Sequence, residues 1–347
     1  MKRKKLQTIV LAGAFAMAAA LSGLSGNYAH AADDVIKWKI QSHWPTSSSS
    51  YDDSLKKVAE ELEEKTDGKL VLEPHPADSL VPSKEIFSAV KRGMIQGGTL
   101  SPGYVRDYIK IANVASGLPY AFADTWEAAY FHMYYGFEEM LREASAEHGV
   151  YWHTDKVYPT ELVVSKPVRS LEDFKGLKIR SSGVLQKFFS QLGASAEYIP
   201  GSEIYSALSS GVVDGAHWGA AQGAYSMKLY ETCKYHILPP LNIASTDVWV
   251  FNQDAIDELP EDVRQVFFDT MDKHFWERTN EYQYLEQVTL DKAVNEEDVE
   301  VIELPEKEQE KIFEQAVKVW DDEAEKSSEA EEAVDLLKEY LETLGRM

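Results

Sequence analysis

One stretch of this chain occurs twice, and the repeat limits what the whole can fold into. Glu85-Ile86-Phe87-Ser88-Ala89-Val90, followed by Gly93 and Gly97, returns 118 residues later as Glu203-Ile204-Tyr205-Ser206-Ala207-Leu208, followed by Gly211 and Gly215. Six of these eight paired positions are identical. Two unrelated helix-to-strand turns would not keep every glycine at one offset, so the pattern reads as a duplicated half-domain. The surroundings agree. Before and after the first copy, Val35 to Gln41 alternates as a strand, and Leu55, Val58 and Leu62 keep helical spacing up to Thr66-Asp67-Gly68. Lys69 to Glu73 and Met94 to Leu100 then read as strands on either side of a helix from Ser83 to Arg92. Around the second copy, strands are expected over 177–180, 196–199 and 212–218 with helices over 183–192 and 203–210. Each copy is thus a βαβαβ unit, and the expected fold class is α/β with two lobes, each built on such a unit and flanked by helices.

Parallel sheets bind ligands beyond the carboxyl ends of their strands, so two such units facing each other would share a cleft. Thr99-Leu100-Ser101 and His217-Trp218-Gly219 would be its equivalent lips. The pattern from Pro260 to Val299 is helical and unbroken, long enough to bridge both lobes. Residues 291–347 carry 20 acids against 7 lysines and arginines, while Ile312, Phe313, Ala316, Val317 and Trp320 keep one face apolar. That segment reads as acidic helices with a solvated face.

Lys2, Arg3, Lys4 and Lys5 precede an uncharged run whose apolar centre, Ile9 to Leu21, is too short and alanine-rich for a good membrane span. Ala29 and Ala31 stand at the spacing of a signal-peptidase site. Residues 1–31 are therefore expected to be a secretory signal peptide, which would carry the rest of the chain out of the cytoplasm. The formal charge of −23 becomes −27 once these four cations leave, and such a surface repels nucleic acid. Cys233 is the sole cysteine, so no internal disulfide can form. No paired-ligand spacing for zinc appears.

Three features bear chemistry. Arg180 ends the run Asp173-Phe174-Lys175-Gly176-Leu177-Lys178-Ile179-Arg180 and would sit at the carboxyl end of a strand, where its planar fork can pair both oxygens of a carboxylate. An arginine pairing with one of the many acids on the rim fits the same spacing, and both readings stand. Trp44 and Trp218 each follow a histidine just past a strand end and would wall an apolar or aromatic ligand. His217 is a donor or base candidate, but no nucleophile, glycine-rich phosphate loop or metal triad accompanies it. An enzyme is not expected.

The run Lys166 to Arg180, then Leu192-Gly193-Ala194, Glu203 to Leu208 and Gly211-Val212-Val213-Asp214-Gly215, resembles the periplasmic solute-binding proteins of TRAP transporters, the DctP family. Glu60 to Gly68, Leu118-Pro119-Tyr120 and Leu259 to Val263 fit the same pattern. The resemblance covers nearly all of the chain after the leader. It implies two α/β lobes, a long helix spanning them, and closure over an organic acid that is handed to a TRAP permease in the membrane. It also implies that Arg180 pairs with the ligand carboxylate and that a second polar contact lies near Thr160 and Glu161; His217, Trp218, Trp44 and Ser101 join the candidate contacts from their places at the strand ends. Trp218 suits the branch that binds 2-oxo and 2-hydroxy monocarboxylates with a metal, but that branch has carboxylates where this chain has His217 and Ile243. No metal and no cofactor are expected.

The reading is a monocarboxylate receptor. A C4-dicarboxylate receptor, a periplasmic sensor subunit and, as a distant third, a secreted lyase or hydrolase are the alternatives. The expected organisation is lobe I over 32–155 with a return near 247–290, lobe II over 156–246, the spanning helix over 260–299 and acidic helices over 300–347. A monomer is expected, with a dimer left open.

Overall fold

Strand formation follows the alternation of exposed Lys37 and Lys39 with buried Trp38 and Ile40. The computed structural model describes residues 35–347; the leader expected over 1–31 lies outside the described residues. Among the described residues no helix is long and apolar enough to cross a membrane. The first unit consists of β1 (Ile36–Gln41), β2 (Leu70–His75) and β3 (Gly97–Leu100), with β2 and β3 both parallel to β1. Helices Lys57–Lys65 and Ile86–Lys91 make its crossovers. After β4 (Val150–Val164), the second unit repeats the plan with β5 (Lys178–Arg180), β6 (Ser195–Glu197) and β7 (Gly215–His217), again parallel in the order β6-β5-β7.

The duplication is therefore real in space. Its two units, however, are not separate sheets. The long strand β8 (Tyr235–Asn252) pairs antiparallel with β3 and along most of β4, and β4 pairs antiparallel with β7. One nine-stranded sheet results, with β9 (Glu300–Glu303) added to β8. Both linking strands escaped the sequence pattern for physical reasons. They are buried on both faces for most of their length, so neither alternates. Pro239 and Pro240 also argue against a strand at β8, yet Leu238-Pro239 is a cis bond within it.

Helix Glu261–Glu296 runs past both units: Val263, Phe267 and Met271 pack with Trp38 and Ile40 of the first, and Ala293 packs with Val163 and Ala216 beside the second. The acidic helices Glu306–Ala324 and Ser328–Thr343 bury Ile312, Ala316, Trp320 and Leu337 and turn most of their acids to water. Trp320 Nε1 donates to the carbonyl of Pro119 at 2.9 Å, which ties the C-terminal helices to the body.

One buried titratable group gives a pH prediction. His132, in helix Thr125–Tyr134, packs edge-on to Phe137 and its Nδ1 has no partner. Burial pushes its pKa down to about 3. An unfolded histidine titrates near 6.5, so the neutral folded form contributes fully above that pH and its contribution is lost as pH falls from 6.5 toward 3. At pH 5 the loss is about 2 kcal/mol. Urea unfolding should show His132→Leu gaining that much relative to the parent between pH 7 and pH 5; an unchanged difference would refute the assignment.

Candidate functional site

The carboxyl ends of β1, β3, β5 and β7 converge on one cavity of about 60 Å³, room for a few waters or a small organic anion. Ser101 follows β3, Trp44 follows β1, and Arg180 and His217 end β5 and β7. These four, with Thr160 from β4 and Trp218, all line the cavity. Glu161 does not. Neighbours on a strand point to opposite faces, so Thr160 turns into the cavity and Glu161 turns away, against His236 at 2.7 Å.

Arg180 is only 2% exposed. Its Nε donates to the carbonyl of Ile199 at 3.0 Å and its Nη1 to the carbonyl of His217 at 2.8 Å. The Trp218 ring lies 4.8 Å from its guanidinium carbon, and the ring's place is kept by Gly201, where a Cβ would come within 2.7 Å of it. Tyr104 and Tyr198 meet edge to face at 5.4 Å beside the same cation. Burial draws the Arg180 pKa down, but a guanidinium stays charged at any physiological pH. Among the described residues no carboxylate pairs with it. A buried cation without a counter-ion costs several kcal/mol, and the cavity is where a counter-ion can enter.

His217 does not supply a second charge. Burial, followed by the neighbouring Arg180, pushes its pKa down to about 3, and its Nε2 has no hydrogen-bond partner. It is a neutral donor or acceptor on the wall.

The opposite wall is a charge network that spacing did not reveal. His43 reaches Thr99 Oγ1 and Asp247 Oδ1, each at 3.2 Å. Lys156, wholly buried, donates to Asp247 Oδ2 at 2.7 Å and to Asp155 Oδ2 at 2.9 Å. Asp155 Oδ1 accepts from Trp249 Nε1 at 2.7 Å and meets His274 Nε2 at 2.9 Å. Burial alone would raise both carboxyls, but Lys156 with the histidines holds them below the usual carboxylate range. The faces of Trp44 and Tyr158 stand 4.6 and 4.8 Å from the ammonium. The available signal was Asp155-Lys156 in the middle of an otherwise unbroken strand, a charge pair that a buried strand tolerates only when each member is neutralised.

Among the described residues lining the cavity, Asp247 is the only carboxylate. Ile243 lines a separate groove with Phe313 and Trp320.

Comparison with known proteins fits this geometry. The profile of the family described as Bacterial extracellular solute-binding protein, family 7 (DctP) matches residues 41–327. A monocarboxylate 2-oxoacid-binding periplasmic protein of Nostoc sp. is 23% identical over 283 residues, 77% of this chain and 73% of the relative. The C4-dicarboxylate-binding periplasmic protein DctP of Rhodobacter capsulatus is 30% identical over 218 residues, 59% of this chain and 62% of that protein. Among solved structures, a TRAP periplasmic solute-binding protein of Pseudoalteromonas atlantica with bound sodium and pyruvate shares the fold. It superimposes with a TM-score of 0.82 at 22% identity, covering 89% of this chain and 95% of the other. These are solute receptors and not enzymes. With two βαβαβ units, a helix spanning both and a family match over most of its length, the chain belongs to the DctP family of bacterial extracellular solute-binding proteins.

Proposed function

We propose that this protein is the extracytoplasmic receptor of a TRAP transporter, that it binds a small monocarboxylate in the cavity, and that it delivers this ligand to the membrane permease. The observation that carries the reading is Arg180, buried at the cavity wall with no carboxylate of its own. A ligand carboxylate would pair with it under the Trp218 ring, with His217, Thr160 and Ser101 supplying neutral polar contacts and Trp44 closing the far side. The segments 32–155, with the return over 247–290, and 156–246 would act as the lobes that close on the ligand.

The charge balance favours one carboxylate over two. Lys156 is already shared between Asp155 and Asp247, so a second ligand carboxylate would face Asp247 with no free cation. A hydroxyl, oxo or amino group suits that end better. A hard cation such as the sodium bound, with pyruvate, in the Pseudoalteromonas protein needs several oxygen ligands. Here the single cavity carboxylate is engaged by Lys156 and His43, so the donor set does not fit, and chelator should leave ligand binding unchanged.

Native mass spectrometry of the purified protein, followed by calorimetry with 2-oxo acids, 2-hydroxy acids and C4-dicarboxylates, tests the proposal. Monocarboxylates should bind and dicarboxylates should give no heat; tighter binding of a dicarboxylate would overturn the monocarboxylate reading, and turnover of any acid would overturn the receptor. Trp218→Ala keeps Arg180 and removes one cation–π face. It should weaken the best ligand by about tenfold or less, roughly 1.4 kcal/mol, while admitting bulkier acids. Complete loss of binding in a folded Trp218→Ala protein would show that the ring, not the guanidinium, holds the ligand.

A further inference from the structure

Glu161, turned away from the cavity, meets His236 of β8 and Glu286 of the long helix, and one ligand atom from each lies within 4.8 Å of the others. All three are buried, His236 completely. Segments this far apart in the chain leave no spacing motif, which is why the sequence shows no zinc signature. We propose that these three side chains form a structural site for a divalent transition ion, zinc by the chemistry of its donors, which clamps β4, β8 and helix Glu261–Glu296 together behind the ligand cavity.

Two observations beyond the cluster itself point to an ion. First, Glu161 Oε2 and His236 Nε2 lie 2.7 Å apart, yet neither makes an aligned hydrogen bond. Two buried polar atoms in contact but unsatisfied are rare, and a shared cation satisfies both lone pairs. Second, the supporting contacts are those that ligands require. Tyr230 Oη meets His236 Nδ1 at 2.8 Å, which fixes the ring and directs the tautomer. Glu286 Oε1 and Oε2 accept from the backbone N–H groups of Ala221 and Gln222 at 2.6 and 3.0 Å, which fixes the carboxylate and leaves each oxygen another lone pair. Such second contacts orient zinc ligands generally. One imidazole and two carboxylates suit zinc, and the second oxygen of either carboxylate can fill a fourth position.

Charge supports the same assignment. Two carboxylates and a neutral imidazole balance a dication, and among the described residues neither carboxylate has a lysine or arginine partner. The site is independent of the cavity chemistry: Arg180 and the ligand take no part in it.

The test uses the untagged full chain, unfolded in denaturant with chelator and refolded with or without zinc. Elemental analysis after gel filtration should find about one zinc per chain, with a higher melting temperature than the metal-free sample. Refolding with cobalt(II) should give visible d–d absorption, and His236→Asn and Glu286→Gln should each remove it. Glu161→Gln/Glu286→Gln, which mimics protonated carboxyls, provides a variant that can fold without metal and should bind none. The proposal is overturned if the parent retains less than about a tenth of an equivalent with unchanged melting, because the carboxyls then share protons instead. It is equally overturned if the cobalt spectrum survives in the double variant, because the metal then sits elsewhere.

Discussion

Arg180→Ala is expected to reduce carboxylate binding by at least about a hundredfold, a loss of roughly 3 kcal/mol or more. The size follows from where the guanidinium sits. It is buried, so the ligand anion it meets is also buried, and removing one partner of a buried pair leaves the other uncompensated. Arg180→Lys separates charge from geometry. The ammonium restores the charge but lacks the planar fork that grips two oxygens, and it cannot reproduce the donations to both Ile199 and His217. Its loss should therefore be intermediate, about 1.5–3 kcal/mol. Calorimetry on variants whose melting has been checked decides the matter. An Arg180→Ala protein that is well folded and binds within about threefold of the parent, under ~0.7 kcal/mol, would make Arg180 a structural residue and remove the basis for acid recognition.

Lys156→Met should be the most destabilising single change. The methionine fits the apolar reach of the lysine but leaves Asp155 and Asp247 buried, side by side and without their shared cation. Breaking a buried ion network from one side costs about 3–5 kcal/mol, a large part of the 5–15 kcal/mol that holds a typical domain. In the parent both carboxyls titrate below their usual range, so their stabilisation persists at neutral pH and is lost only as pH falls through those low values. In Lys156→Met the cation is gone and burial dominates, so one carboxyl should take a proton at mildly acid pH. The deficit measured by urea unfolding should accordingly be greatest at pH 7 and smaller at pH 5. A deficit below about 1 kcal/mol at pH 7 would mean that the network contributes no net stability. Asp247→Asn, which keeps a hydrogen-bonding side chain against Lys156 and His43, should cost less.

What could be read from the residues, and what could not, divides along physical lines. The two βαβαβ units were legible because their helices are amphipathic, Gly93 and Gly211 follow those helices, and Gly97 and Gly215 open the next strands at the same offset. Arg180, Trp218 and His217 were placed at strand ends by the same reasoning, and the structure brings all three to one cavity with Thr160, Trp44 and Ser101. The single continuous sheet was not legible. Its two linking strands are buried on both faces, and one contains a proline pair, so periodicity carries no signal there. Glu161 was placed next to Thr160 because sequence proximity does not record which face of a strand a side chain takes. The network around Lys156 was equally hidden: Asp155 is adjacent, but Asp247 arrives from β8 and its partner His43 from the turn after β1, and no local pattern announces them.

The ladder from Gly97 to Leu100 runs onto Val248 to Phe251, and the core around Trp38 is completed by Phe267 and Met271. Both partners lie far along the chain, so the first unit has neither its edge nor its full interior until synthesis has passed Met271. Contacts of such long range make for slow folding, because loop-closure entropy is spent before the contacts repay it. A fragment ending between the two copies, which the duplication makes look like a natural half, should therefore remain unfolded. The copies are separable in sequence, but they should fold as one cooperative unit.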